Sequence, residues 1–210
     1  LEHEAMVNKF IGDGIFAFWN PVIFPQPDHV LKACETALDL QTALLGLQTD
    51  MKKRGGDDAF AELQLRVGVA TGNAIVGPCG SEQKYDYTCI GDSVNLAARL
   101  ESANKAFGTL ILVAGPARDA VGDRFVFRYL GGVQVKGKVT AVPVYELLGR
   151  KGAVVAEVQE YADRFAAGVA KYQSRHWLDA RAVFEDCLRC NPRDMAAAAY
   201  QRDGKLSGIS

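Results

Sequence analysis

The spacing of apolar positions along the chain changes several times, and each change marks an element. Residues 6–19 read Met-Val-Asn-Lys-Phe-Ile-Gly-Asp-Gly-Ile-Phe-Ala-Phe-Trp. Two apolar and aromatic runs flank Gly12-Asp13-Gly14, which predicts a β-hairpin. Pro21, Pro25 and Pro27 interrupt the pattern. From Asp28, a suitable N-cap, the period becomes helical to about Lys53, with Leu31, Cys34, Ala37, Leu38, Leu44 and Leu45 near one face. Arg54-Gly55-Gly56 closes that helix. Rough alternation over residues 63–76 predicts a strand, with turns at Gly72 and Gly77, and residues 85–90 predict another. Gly91-Asp92-Ser93 opens a second helix through Phe107, stopped by Gly108. Residues 110–113 read as a strand and residues 115–122 as a short helix or turn. Residues 125–130, 133–135 and 142–148 read as three further strands.

Beyond residues 149–152 the pattern is different. Residues 157–204 are Ala-rich and carry no strand signal. The expected organisation is an α+β domain over 1–149, a mixed or antiparallel sheet with helices, followed by a small all-α segment over 150–210. The composition agrees with this outline: 49% hydrophobic and 23% charged residues suit a globular chain. Formal charge is −1, with 24 Lys and Arg against 25 Asp and Glu, so no basic excess points to a nucleic-acid partner. No run approaches the about 18 apolar residues that cross a bilayer. Five cysteines, few and odd in number, predict free thiols in a reducing, cytoplasmic compartment. The chain starts at Leu1 without an initiator Met, and strand pattern begins within six residues, so a longer parent protein is expected.

Two stretches carry candidate chemistry. In the first, Asp13 sits at the tip of a Gly-flanked hairpin, where the backbone is least crowded. Its carboxylate can take Mg²⁺ through oxygen, although a lone Gly-Asp-Gly by itself reads as a turn. Lys9 lies four residues earlier, on the same side if the pleat persists. The second stretch is residues 85–101, ending Gly91-Asp92-Ser93-Val94-Asn95-Leu96-Ala97-Ala98-Arg99-Leu100-Glu101. Leu96, Leu100, Ala103 and Phe107 form one apolar stripe on the helix. Asn95 and Arg99 stack one turn apart on a neighbouring face. An amide beside a guanidinium suits a sugar oxygen and a developing phosphoryl charge. A solvated polar flank is the alternative.

Together these pieces resemble the class III nucleotidyl cyclase catalytic domain, the family of adenylate and guanylate cyclases. The match covers about residues 1–148 through VNKFIGDGIFAFW, LRVGVATGNAIVG, DYTCIGDSVNLAARLESANK, GTLILV and VQVKGK…PVYELL, in the family's order. The resemblance implies a ferredoxin-like cyclase fold. It makes Asp13 the second of two metal-binding aspartates, and Lys9 and Thr88 the residues that read the purine. It makes Asn95 the ribose-orienting residue and Arg99 the stabiliser of the transition-state phosphate. Lys136, in preference to Lys138, would reach the triphosphate. A Lys ammonium donates to adenine N1, whereas guanine N1–H needs an acceptor, so Lys9 with Thr88 implies ATP. The Thr form also resembles a bicarbonate-stimulated subgroup. The implied reaction makes 3′,5′-cyclic AMP and pyrophosphate, with two Mg²⁺ or Mn²⁺ ions per site. The site would form across a head-to-tail homodimer, Asn95 and Arg99 acting from the second copy.

The family's first metal aspartate belongs to a strand that would precede Leu1. The resemblance therefore implies an inactive fragment of an active parent, with sensor regions and any membrane anchor upstream. A non-catalytic cyclase-homology module is the rival from another class, and a guanylate cyclase, disfavoured by Lys9, is the rival within the class. Other features carry less. Gly55-Gly56-Asp57-Asp58 has the letters of a diguanylate cyclase signature but follows a helix end, so a linker turn is expected. Cys187 and Cys190 have no second pair to complete a zinc site. His3, His29 and His176 show no triad pattern and read as surface or packing residues. In the tail, Phe165, Gly168, Tyr172, Trp177, Ala180, Phe184 and Pro192 resemble one tetratricopeptide repeat. A single repeat cannot bury its own apolar face. The tail is expected either to bind a protein partner or to pack on the cyclase domain.

Overall fold

The computed structural model describes residues 3–20, 24–55, 58–81, 84–133 and 141–203. They form two compact units, 1–65 with 71–95 and 66–70 with 96–210.

In the first unit, β1 (Met6–Ile11) and β2 (Gly14–Phe18) pair antiparallel around the predicted hairpin. Ile11 pairs Gly14, so Gly12 and Asp13 are the whole turn, and Gly12 takes φ +62°. That left-handed conformation is why glycine suits the position. The period-two argument that placed Lys9 on Asp13's side therefore stops at Ile11. A bulge between Val7 and Lys9 shifts the phase again. Helix α1 (His29–Lys53) follows, with Val30, Cys34 and Ala37 buried. Asp28 precedes it without a side-chain capping bond and instead pairs with Lys32 at 3.1 Å. Leu45, expected inside, is exposed. The strands β4 (Ile75–Ser81) and β5 (Lys84–Ile90) make a second antiparallel pair. Gly77, expected in a turn, lies inside β4 opposite Thr88.

In the second unit, a mixed sheet runs in the order β3-β6-β8-β7. It comprises β3 (Val67–Val69), β6 (Ile111–Ala114), β7 (Phe125–Val133) and β8 (Val142–Arg150). Only β3 and β6 are parallel. The strand expected over 63–76 is thus only three residues long, because only Val67, Gly68 and Val69 find ladder partners on β6. Residues 125–133, expected as two strands, form one. Helix α2 (Asp92–Phe107) links the units, and α3 (Gly115–Val121) follows β6. Every member of the predicted stripe, Leu96, Leu100, Ala103 and Phe107, is buried. A Cβ on Gly68 would collide with the Ala97 carbonyl oxygen, so only glycine lets β3 approach α2 this closely. Asn104 locks the contact by donating to the carbonyls of Val67 and Leu100, each at 3.0 Å, while Thr109 donates to it.

The tail is three helices, α4 (Ala156–Gln173), α5 (Trp177–Cys190) and α6 (Met195–Asp203). Their inner residues Phe165, Phe184 and Tyr200 join Leu100, Phe107, Leu130 and Val144 in one core. Phe184 stacks on Tyr200 at 4.6 Å, and Tyr200 donates its hydroxyl proton to the Leu130 carbonyl at 2.8 Å. Arg128 of β7 is buried between Glu146 of β8, at 2.7 Å, and Asp194, which precedes α6 and also accepts from Tyr161 of α4. Burial opposes the charge on Arg128, but the two carboxylates outweigh it and raise its pKa above the usual guanidinium value.

All five cysteines are free. Burial pushes the Cys34 thiol up to about 12 and the Cys187 thiol up to about 11, whereas Cys190 is exposed. Native protein treated with a thiol reagent at pH 8 is expected to lose Cys190 first, with Cys34 and Cys187 reacting only in denaturant. Equal native rates at Cys34 and Cys190, read by peptide mass mapping, would contradict this burial.

Candidate active site

The first unit carries three of the expected site residues. Lys9 lies on β1, one position past the bulge, and is exposed. Asp13 is exposed in the two-residue turn that follows β1. Thr88 lies on β5 and is only 7% exposed. The structure joins their elements through a residue that the sequence reading passed over. The amide of Asn8 donates from Nδ2 to the Tyr87 carbonyl and accepts at Oδ1 from Thr88 Oγ1, the latter at 3.1 Å. Asn8 thereby ties β1 to β5, which lie in separate two-stranded sheets. The available signal was modest: one amide inside an otherwise apolar strand, next to a candidate site lysine.

Helix α2 carries the other two. Asn95 is exposed and Arg99 half-buried, one turn apart on the flank beside the buried stripe. The stripe fixes the rotation of the helix, and the flank follows from it. Among the described residues, the side chains of Lys9, Asp13, Asn95 and Arg99 make no hydrogen bond or ion pair. Four polar groups without internal partners remain available to a ligand, whereas Thr88 is already committed through its proton. Lys136 and Lys138 lie outside the described residues.

Divalent metal use is typical of the cyclase family. Among the described residues Asp13 belongs to no cluster of metal-ligating side chains. Among the described residues no group of three or more His, Cys, Asp or Glu could hold an ion. A single exposed carboxylate does not fit a two-ion centre, because hard cations of this kind want several oxygen ligands. Among the described residues, no helix is long and apolar enough to cross a membrane.

The chain is similar to known nucleotidyl cyclases. Adenylate cyclase 1 of Rhizobium meliloti is 36% identical over 152 residues, covering 72% of this chain and 22% of that protein. The chain thus spans about a fifth of the length of that relative. Among solved structures, the adenylyl cyclase CyaB from P. aeruginosa superposes with a TM-score of 0.62 at 28% identity, covering 73% of this chain and 76% of that one. The guanylyl cyclase Cya2 gives 0.58 at 28% identity, covering 72% and 74%. The family profile described as the adenylate and guanylate cyclase catalytic domain matches residues 5–149, and the chain belongs to that family.

Proposed function

We propose that the complete protein is an adenylate cyclase that converts ATP to 3′,5′-cyclic AMP and pyrophosphate in intracellular signalling. The observation that carries this reading is Lys9, an exposed ammonium on β1 that makes no hydrogen bond or ion pair among the described residues. A donor at that place suits adenine N1, which accepts, and not guanine N1–H. Relatives named adenylate cyclase support the same choice.

In the reaction, the ribose 3′-oxygen attacks the α-phosphorus in line. The new ester bond forms as the bond to the bridging oxygen of pyrophosphate breaks, and the 3′-hydroxyl proton passes to solvent. Lys9 and Thr88 hold the base. Asn95 holds the ribose, and Arg99 meets the charge that grows on the phosphoryl oxygens. Lys136 is assigned to the triphosphate. A homodimer through the cyclase domain brings Asn95 and Arg99 of one copy to the base-binding groups of the other. We assign 1–149 to the catalytic domain and 150–210 to a tetratricopeptide-like segment. Its inner face belongs to the core, so any protein partner meets its outer face.

The test is an assay of the complete protein with ATP or GTP, supplied with Mg²⁺ or Mn²⁺. Cyclic AMP should form. Lys9→Glu should move the ratio of kcat/KM for ATP over GTP toward GTP by about 10- to 100-fold, the worth of a charged hydrogen bond to the base. No product from intact dimer with either metal would sink the proposal. It would favour instead a non-catalytic cyclase-homology module.

A further inference from the structure

We infer that Asn8 is a positioning residue that sets the polarity of the hydrogen bond Thr88 offers to the base, and with it the choice between a 6-amino and a 6-oxo purine. This rests on the reading of Thr88 as a purine contact.

The bulge in β1 gives Asn8 its place. Val7 pairs Ala17 and Lys9 pairs Phe16, so Asn8 is skipped by the hairpin ladder. Its side chain spans to β5 and uses both ends of its amide. The logic of proton supply then runs one way. The Tyr87 carbonyl has no proton to give, so the NH₂ of Asn8 must face it. Only the amide oxygen is then left for Thr88. The Thr88 hydroxyl has one proton, and that proton goes to Asn8 Oδ1. Toward anything bound, Thr88 Oγ1 presents lone pairs alone.

A purine therefore meets an acceptor at Thr88. The 6-amino group of adenine donates and is satisfied. The 6-oxo group of guanine accepts, so two lone-pair atoms would face each other. Thr88 is nearly buried, and an unmatched pair there is not relieved by water. Freed of Asn8, the hydroxyl can rotate and donate, and the distinction fades. The selectivity is thus set by a residue that does not touch the base, carried on a strand of the other hairpin.

The experiment compares ATP with inosine triphosphate, which carries a 6-oxo group in place of the 6-amino group, using the complete protein. Lys9 is the same in wild type and in each variant, so a change in the ratio of kcat/KM values reads position 6. Wild type should prefer ATP. Asn8→Ala should lower the ratio about fivefold, the worth of one neutral hydrogen bond. Thr88→Val should lower it similarly, and the double variant should fall no further than either single one. Asn8→Asp still accepts from Thr88 and should hold the ratio within about twofold. An unchanged ratio in Asn8→Ala would overturn the inference. So would a parallel fall with both substrates, or an equal loss in the Thr88→Val background. Wild type that turns over neither nucleotide overturns the cyclase reading instead. The same ratio is then read by displacement of a fluorescent adenine nucleotide, where equal affinities overturn the relay and absence of binding overturns both.

Discussion

Asp194→Ala is expected to lower the unfolding free energy of the second unit by about 3–5 kcal/mol. The side chain is 1% exposed and serves three groups at once. It accepts from Arg128 and Tyr161, and its second oxygen accepts from the Ala197 amide at 3.1 Å, closing the first turn of α6. Its loss leaves Arg128, itself buried, with Glu146 as its carboxylate partner. The guanidinium also lies over the Phe165 ring at 4.7 Å, so the donors that Asp194 satisfied would be left unpaired against the centre of the core. Asp194→Asn keeps an acceptor without the charge and should cost less. Because the chain has two units, a single global transition is not assumed. In a Trp19→Phe background, Trp177 of α5 is the remaining indole and reports the second unit. Guanidinium titration followed by its fluorescence gives the difference. A loss below about 1 kcal/mol would mean that the network is relieved by water and does not hold the tail.

The second large effect is catalytic. Arg99→Ala in the complete protein should reduce kcat for cyclic AMP formation about 10²- to 10³-fold while KM for ATP changes far less. The reason lies in what Arg99 lacks: among the described residues it has no carboxylate partner, so its charge is not already neutralised. The helix that holds it is fixed by Leu96 and Leu100 below and by Asn104 on β3. A preorganised cation of this kind acts mainly on charge that appears in the transition state. Arg99→Lys should recover only part of the rate, since an ammonium cannot offer the planar fork. If kcat stays within about threefold of wild type in Arg99→Ala, the phosphate role is wrong.

How much was legible in the sequence differs by element. The α2 stripe was legible because all four apolar positions meet one core and follow a single 3.6-residue period. The β1–β2 turn was legible because Gly12-Asp13 has few other conformations between two apolar runs. The strand expected over 63–76 was not: Val67–Val69 pair with β6, whereas Ile75 and Val76 already belong to β4 and pair with β5. Gly77 misled for the opposite reason, since glycine signals a turn although here it sits in paired strand. The Arg128 network left no periodic trace. Two of its members face each other across adjacent strands, and the third arrives 66 residues after Arg128. For the proposed site, residue types at motif positions supplied the candidates Lys9, Asp13, Thr88, Asn95, Arg99 and Lys136. The bridge through Asn8 could only come from coordinates, because it depends on a bulge.

The continuous core of the second unit also bears on how such a chain can change over generations. A segment joined to its neighbour by a linker can be exchanged by recombination with little harm. Here Phe165, Phe184 and Tyr200 cover Leu100 and Leu130, and Tyr200 bonds the Leu130 backbone. A crossover near residue 150 would strip that cover from the sheet and from the inner face of α2. Tail and sheet are therefore coupled, and a substitution at Leu130 or Tyr200 restricts what the other position can next become.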